Sequence, residues 1–373
     1  MKIFIISEDV YHTRRWVTAL AQHDNSIFLF SLGKIVNQAL YQQYPNVQYY
    51  SANVAFHSIY NVGEWHKLKY LSALRILKKQ IKDFYPDIVH AHYATSNGLL
   101  GVLSGFHPLI VSVWGSDVYQ FPRKSILHKL LFKYILKVAD VILSTSNIMA
   151  NEIKKYTDKK IAITPFGVDL SVFRKSAEKI NSLPIIIGNI KALESHYGID
   201  TLIKSFSLLL QKGGYRDIKL VIIGEGSQKE ELIDLGRSLG CIDKISFLGK
   251  IDNSLLPEYY NSFTVFVSLS NSESFGVVAV EAMACECPVV VSDADGFLEV
   301  VENEKTGIIV PKNDPNAAAV AIQTLIDNPL LRRKFGKNGR ERVLRFYDWT
   351  NNVNTMVAIY KNIIDSYEDN SIS

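Results

Sequence analysis

Cysteine is scarce in this chain. Its 373 residues include three, Cys241, Cys285 and Cys287. Such an odd, sparse set, without metal-ligand spacing, speaks against a disulfide framework and against structural zinc. It suits a reducing cytosol. Long apolar runs are missing too. The longest apolar region, Gly98 to Val113, is broken by Ser104, His107 and Pro108. A membrane-spanning helix takes about 20 mostly apolar residues. The N-terminal MKIFIISEDV reaches Glu8 and Asp9 too early to read as a signal peptide. Neither charge sign dominates: the formal net charge is +4, too small to point to nucleic acid. No nucleic-acid partner is expected. The expectation is a cytoplasmic protein, soluble or held peripherally at the inner face of the cell membrane.

What is present is ordinary globular material. Hydrophobic residues make up 47% and charged residues 21%, enough for sizeable cores. The length favours two domains. Strand-like segments apolar on both faces, KIFIIS, SIFLFSL, DIVHAHY, LIVSVWG and VILSTS, alternate with helical stretches such as Thr13 to Ala21, Leu68 to Phe84 and Lys124 to Val138. After the polar stretch RKSAEKINSL the pattern restarts with PIIIGNI, KLVIIGEG, ISFLGK, TVFVSLS, PVVVSD and TGIIVP. This alternation implies parallel sheets covered on both sides. The fold class read from it is α/β, with two tandem Rossmann-like doubly wound domains facing across a cleft. The first spans 1–175, with a C-terminal helix at about 351–373 crossing back to it. The second spans 180–350. Open α/β sheets bind ligands at the carboxyl ends of their strands, so functional residues are expected in strand-to-helix loops.

The stretch NSESFGVVAVEAMACECPVVVSD, from Asn271 to Asp293, places Glu273 before a helix and Glu281 inside it. Ser274, Phe275 and Gly276 open that helix in this reading, which puts Val277 in its first turn. Free amides there, with the helix dipole, suit a diphosphate. Gly276 lacks a side chain and would let a ligand come close. A carboxylate accepts two hydrogen bonds side by side, which suits vicinal hydroxyls. A capping or solvated glutamate is the plainer reading of each. For Glu281 that reading sits badly with VVAVEAMA, where a buried charge needs a partner.

ESFGVVAVEAMACECPVVVSD resembles the signature of the family-four retaining glycosyltransferases, the group 1 glycosyl transferases of GT-B fold. The family pattern is Glu, seven residues, Glu, with Phe-Gly after the first and Glu-Ala-Met-Ala at the second. The resemblance implies that Glu273 contacts the donor sugar, that Glu281 holds the ribose hydroxyls, and that the backbone at Phe275 and Gly276 takes the phosphates. TPFGVDLSVF, VIIGEG with Gly224 and Gly226 facing the nucleotide, ISFLGKID, DADGFLEVVENEKTGIIVP and YDWTNNVNTMVAIY extend the likeness over nearly the whole chain. Phe166 replaces the family's Asn in the first of these.

Elsewhere the pattern departs. The family's Arg and Lys, which neutralise the leaving diphosphate, fall on Lys191 and Tyr197, with His196 adjacent. A solvated loop lysine is the plain alternative for Lys191. The Gly-Gly loop after the first strand is replaced by His12, Thr13, Arg14 and Arg15. Arg14 or Arg15 would face an anionic acceptor or phosphate; a solvated helix start is the other reading. Trp114 stands where the family often has His. Asp117 keeps the family's Asp, and would bind an acceptor hydroxyl. His90 and His92 read as hydrogen-bonded structural residues.

The helix over 124–138 carries Lys129, Lys133 and Lys137 as one stripe. Ile126, Leu127, Leu130, Leu131, Tyr134 and Ile135 make a broad apolar face. A core-packed helix with a solvated lysine edge is one reading, and an anionic membrane surface is the other. The resemblance implies a retaining, metal-independent hexosyltransferase without cofactor. It would move sugar from a nucleotide-diphosphate donor, UDP ahead of GDP, to a glycan or lipid-linked acceptor. Cell-surface polysaccharide, capsule or lipopolysaccharide assembly is the implied setting. A sugar-nucleotide 2-epimerase of the same architecture and a non-catalytic subunit binding a partner transferase are the alternatives.

Overall fold

A computed structural model of the chain describes residues 1–54, 70–176, 184–215 and 217–372. The apolar segments form thirteen strands among these residues. The first seven are β1 (Lys2–Ile6), β2 (Ser26–Ser31), β3 (Val47–Ser51), β4 (Ile88–His92), β5 (Leu109–Val113), β6 (Val141–Ser144) and β7 (Ile161–Ile163). They form one sheet in the order β3-β2-β1-β4-β5-β6-β7, and every pair in it is parallel. The other six are β8 (Ile185–Ile190), β9 (Ile218–Ile223), β10 (Ile245–Phe247), β11 (Val265–Ser268), β12 (Val289–Ser292) and β13 (Gly307–Val310). They form a second parallel sheet, β10-β9-β8-β11-β12-β13. β4, β5, β11 and β12 are buried along their whole length, as their unbroken apolar runs predict.

Each sheet reverses its winding once, between β1 and β4 in the first and between β8 and β11 in the second. A doubly wound sheet binds ligands outside the carboxyl ends of strands at such a point. The loops after these four strands therefore matter most.

The chain divides into one unit of residues 1–165 and 351–373 and a second of 166–350. The division falls ahead of the polar stretch 174–183 because residues 166–173 are already tied into the second unit. The Val168 amide donates to the Tyr347 carbonyl, and Arg340 donates to the Phe173 carbonyl at 2.8 Å. The Phe173 ring lies against Tyr260. The last helix, Trp349–Ile372, begins two residues ahead of the expected start at 351. It joins the first unit through the Tyr360 hydroxyl, 2.6 Å from His90 Nδ1, and through Tyr367, which donates to Asp140.

Two strands escape sequence reading, β3 and β7. Both lie at an edge of the first sheet; β3 has no continuous apolar run, and the three apolar residues of β7 are too few and too exposed to signal a strand. The described part of the helix expected over Leu68 to Phe84 is Leu74–Phe84; Leu68 lies outside the described residues. The basic helix begins at Ile126, two residues late, because the Ser125 side chain caps it by accepting from the His128 amide.

Candidate active site

The second unit places Lys191 directly after β8 and Glu273 in the loop after β11, one on each side of the switch point. Lys191 Nζ donates to Glu273 Oε2 at 2.6 Å, with side chains only 12% and 11% exposed. Sequence spacing singled out both residues; the ion pair between them emerges only in three dimensions. The ammonium also lies 4.4 Å from the centroid of the Tyr197 ring. The phenol that replaces the expected cation therefore contributes its π-face to the remaining one.

Several contacts hold this constellation in place. The His196 ring packs on Tyr197 with centroids 4.0 Å apart, and the His196 carbonyl accepts from the Asn271 amide at 2.8 Å. The Gly296 amide donates to the Glu273 carbonyl at 2.9 Å. The loops after β8, β11 and β12 thus share hydrogen bonds, and Glu273 sits on backbone fixed from two sides.

The glycines of VIIGEG have a packing role that the sequence does not show. A Cβ on Gly224 would stand 1.9 Å from the Lys191 carbonyl oxygen, and one on Gly226 would stand 2.3 Å from that of Leu193. The space in their Cβ direction belongs to the loop carrying Lys191. Gly224 also has φ +142, which an L side chain rarely adopts. Gly224→Ala is expected to cost at least about 3 kcal/mol, a fall of about 10 °C in Tm for a unit of this size. Gly240→Ala is the control, because Gly240 has φ +67 but open space around its Cβ direction; it should cost about 1 kcal/mol. Equal losses in thermal melting would mean that crowding of the Lys191 loop is not the cause.

The helix after Glu273 runs Val277–Ala284, so Ser274 and Phe275 precede it and Gly276 is its N-cap. Gly276 has φ +91, and its Cβ would meet the Phe297 ring at 2.8 Å. This corrects the expectation that the missing side chain admits a ligand. The Phe275 ring is buried edge-on against Phe166 and Tyr347, which anchors the turn and leaves only its backbone for binding. The Ala279 and Val280 amides both donate to the Gly276 carbonyl. Among the described residues the amides of Gly276, Val277 and Val278 meet no acceptor. They make an electropositive helix start.

Glu281 is 6% exposed, and its Oε2 accepts from the Tyr260 hydroxyl at 2.7 Å. The partner that a buried carboxylate requires is therefore a phenol on helix Leu256–Ser262. Burial, with Glu281 beside it, raises the Tyr260 pKa far above the ordinary range, so the hydroxyl stays a donor. No motif in the sequence signals Tyr260.

In the first unit several candidates have structural employment. Arg14 Nε donates to Asp9 Oδ1 at 2.9 Å. Asp9 also accepts from the Tyr41 hydroxyl and from the Val36 and Asn37 amides. Arg14 thus fastens the loop after β1 and does not await an anion. Asp117 is fully buried. Its carboxylate accepts from the amides of Ala94 at 2.9 Å, Gly115 at 2.7 Å and Trp114. It braces the turns after β4 and β5, and no surface is left for an acceptor hydroxyl. Burial pushes its pKa up to about 6, against the pull of those amides.

Trp114 is an aromatic floor, with ring centroids 4.6 Å from His92, 5.8 Å from Tyr93 and 6.2 Å from His12. Burial and the neighbouring Arg15 push the His12 pKa down to about 4. The Arg15 guanidinium lies over the Tyr11 ring. Glu8 was not singled out from the sequence. It follows β1 at the switch point, accepts from the Gly33 amide and the Ser31 hydroxyl through Oε2, and buries Oε1 without a partner among the described residues. Burial raises its pKa. The signal was available in Glu8-Asp9, two acidic residues placed one residue after an apolar strand.

Residues 173–342 match the family model described as glycosyl transferases group 1, and residues 3–146 match that described as glycosyl transferase 4-like. An uncharacterised glycosyltransferase of Methanocaldococcus jannaschii is 27% identical over 331 residues, which cover 87% of this chain and 89% of that one. Among solved structures, sucrose-phosphate synthase of Thermosynechococcus elongatus superposes with TM-score 0.82 at 23% identity, covering 98% of this chain and all of that one. Anabaena HepE in complex with UDP superposes with TM-score 0.79 at 16% identity, covering 97% and 99%.

Proposed function

The chain belongs to the group 1 glycosyl transferases, with the GT-B fold, and from that premise we propose a retaining transfer of sugar from a nucleotide-diphosphate donor held by its second unit. The Lys191–Glu273 pair at the switch point carries this reading. In it, the free amides at Gly276, Val277 and Val278 receive the diphosphate. Glu281 accepts from the ribose hydroxyls, Glu273 meets the donor sugar, and Lys191 faces the oxygen that gains charge as the glycosidic bond breaks. The acceptor oxygen bonds to the anomeric carbon on the face the diphosphate leaves, and a leaving-phosphate oxygen takes the acceptor's proton. His196 and Ser274 line the donor side. His12, Arg15 and Trp114 are the acceptor-side residues of the first unit. We assign UDP as the nucleotide, in keeping with the HepE complex, and a glycan or lipid-linked hydroxyl as acceptor. The setting in cell-surface polysaccharide assembly rests on the family resemblance.

Calorimetry with UDP, GDP and ADP tests the donor site. Glu281→Ala should weaken the preferred nucleotide by about 1–3 kcal/mol, the loss expected for hydrogen bonds to a charged group. It would also strip Tyr260 of its acceptor, so Glu281→Gln is the companion. The amide oxygen keeps the Tyr260 bond, Tm should hold, and nucleotide affinity should still fall by about tenfold. Binding of no nucleotide, or wild-type affinity in Glu281→Gln, would sink the assignment.

A further inference from the structure

Helix Ile126–Val138 buries only part of its apolar surface. Phe132, Ile135 and Leu136 enter the first unit's core with Leu99, Leu100 and Leu77. Ile126, Leu127, Leu130 and Tyr134 do not: they are between 47% and 79% exposed. The broad apolar face expected from the sequence is thus two faces, and the outward one has no protein cover among the described residues. Residues spaced by three and four lie above one another on a helix, so these side chains form a single ridge.

The ridge stands in a basic field. Lys124, Lys129, Lys133 and Lys137 are exposed along it, and the helix contains no acidic residue. Helix Ser96–Ser104 packs beside it, and helix Leu74–Phe84 packs beside that. All three contribute to the same core, so they share one face of the sheet. Helix Leu74–Phe84 exposes Arg75, Lys78, Lys79 and Lys82, with Asp83 its acidic residue. No described helix is long and apolar enough to cross a membrane.

We propose that this face of the first unit docks on an anionic lipid bilayer. Ile126, Leu127, Leu130 and Tyr134 enter the interface, and the flanking lysines meet headgroup phosphates. A bilayer uses both halves of the surface, apolar insertion and cationic attraction. A second copy of the chain would bring lysine row against lysine row, which opposes association. A nucleic acid would leave the apolar ridge unused. The proposal stands apart from the donor-site reading, because attachment requires no nucleotide.

Co-sedimentation of the full chain with vesicles tests it, comparing pure phosphatidylcholine with a mixture containing about one-third phosphatidylglycerol. Binding should be strong only to the anionic vesicles, and should fall steeply between about 0.1 M and about 1 M salt, where the screening length shortens about threefold. Each lysine removed should weaken partitioning about fivefold, so Lys129→Gln with Lys133→Gln should cost about 25-fold. Leu127→Ser with Leu130→Ser should cost at least about tenfold. These side chains are exposed, so an unchanged melting temperature separates lost docking from lost folding. Absent binding to anionic vesicles, equal binding to both compositions, or wild-type partitioning of both variant pairs would overturn the proposal. So would a dimer, seen by light scattering, that Leu127→Ser with Leu130→Ser dissolves while vesicle binding is absent.

Discussion

Lys191→Met is expected to lower kcat by about 100- to 1000-fold while nucleotide affinity stays within about tenfold of wild type. The split follows from when the charge matters. In the proposed donor complex the diphosphate charge is shared with the helix-start amides. As the glycosidic bond breaks, a further negative charge grows on the leaving oxygen, and a fixed cation is worth most then. This chain offers fewer such cations than the family pattern, since Tyr197 occupies the second cation's place. Its ring lies under Lys191 Nζ, so it positions that ammonium. Tyr197→Phe keeps the π-face and should retain nearly full kcat. Tyr197→Leu removes about 0.5–2 kcal/mol of cation–π attraction and should lower kcat by about tenfold at unchanged nucleotide affinity. A purely packing role for the ring would not separate the two variants in this way.

Lys191→Met also strands Glu273, whose side chain is only 11% exposed. A largely buried charge without its partner is destabilising. Lys191→Met combined with Glu273→Gln should therefore recover melting temperature without recovering transfer. Wild-type kcat in Lys191→Met would remove Lys191 from the leaving-group role. Recovery of activity in the double variant would show that the single one failed by unfolding.

The strand framework was largely legible because a parallel sheet covered on both sides demands unbroken apolar runs. KIFII and VVVS can be little else. The edge strands were not, since VQYYS and IAI make no such demand. Candidate residues of the donor site were legible where spacing carries the pattern, as for Glu273, Glu281 and Lys191. What each touches was not. A glycine in sequence does not say what fills the space of its missing Cβ. At Gly224 and Gly226 it is backbone of the 191–193 loop, and at Gly276 it is Phe297. The partners of charged residues were hidden for a related reason. Asp9 meets Tyr41, Asp117 meets the Ala94 amide, and His90 meets Tyr360, 270 residues away. Such pairs depend on strand order, which a local pattern does not encode.

His90 and His92 lead to the second large effect, loss of the first unit in mild acid. Both are buried at the end of β4, with ring centroids 4.5 Å apart. His90 contacts the Tyr360 and Ser112 hydroxyls, and His92 contacts that of Ser7. Burial pushes the His92 pKa down to about 3, and lowers that of His90 with help from His92. An unfolded histidine titrates near about 6.5. Between those values the unfolded chain binds protons that the folded one refuses, so stability falls as pH falls. For His92 the loss is about 1.4 kcal/mol per pH unit in that window, and His90 acts in the same direction. Asp117 works the other way. Its folded pKa of about 6 lies above the ordinary carboxylate value, so between about 6 and about 4 the folded state takes up a proton first and gains stability. Glu8, whose pKa is also raised, acts with Asp117, and His12, whose pKa is also lowered, acts with His90 and His92, so three imidazoles outweigh two carboxyls. The balance is a net loss of first-unit stability as pH falls from about 6.5 toward about 5. The second unit contains a single histidine, His196, and it is exposed. Hydrogen exchange followed by mass spectrometry should therefore show β4 and β5 losing protection between pH 6.5 and 5 while β9 and β11 keep theirs. Equal loss in both sheets, or none in β4, would mean that the buried imidazoles do not govern acid stability.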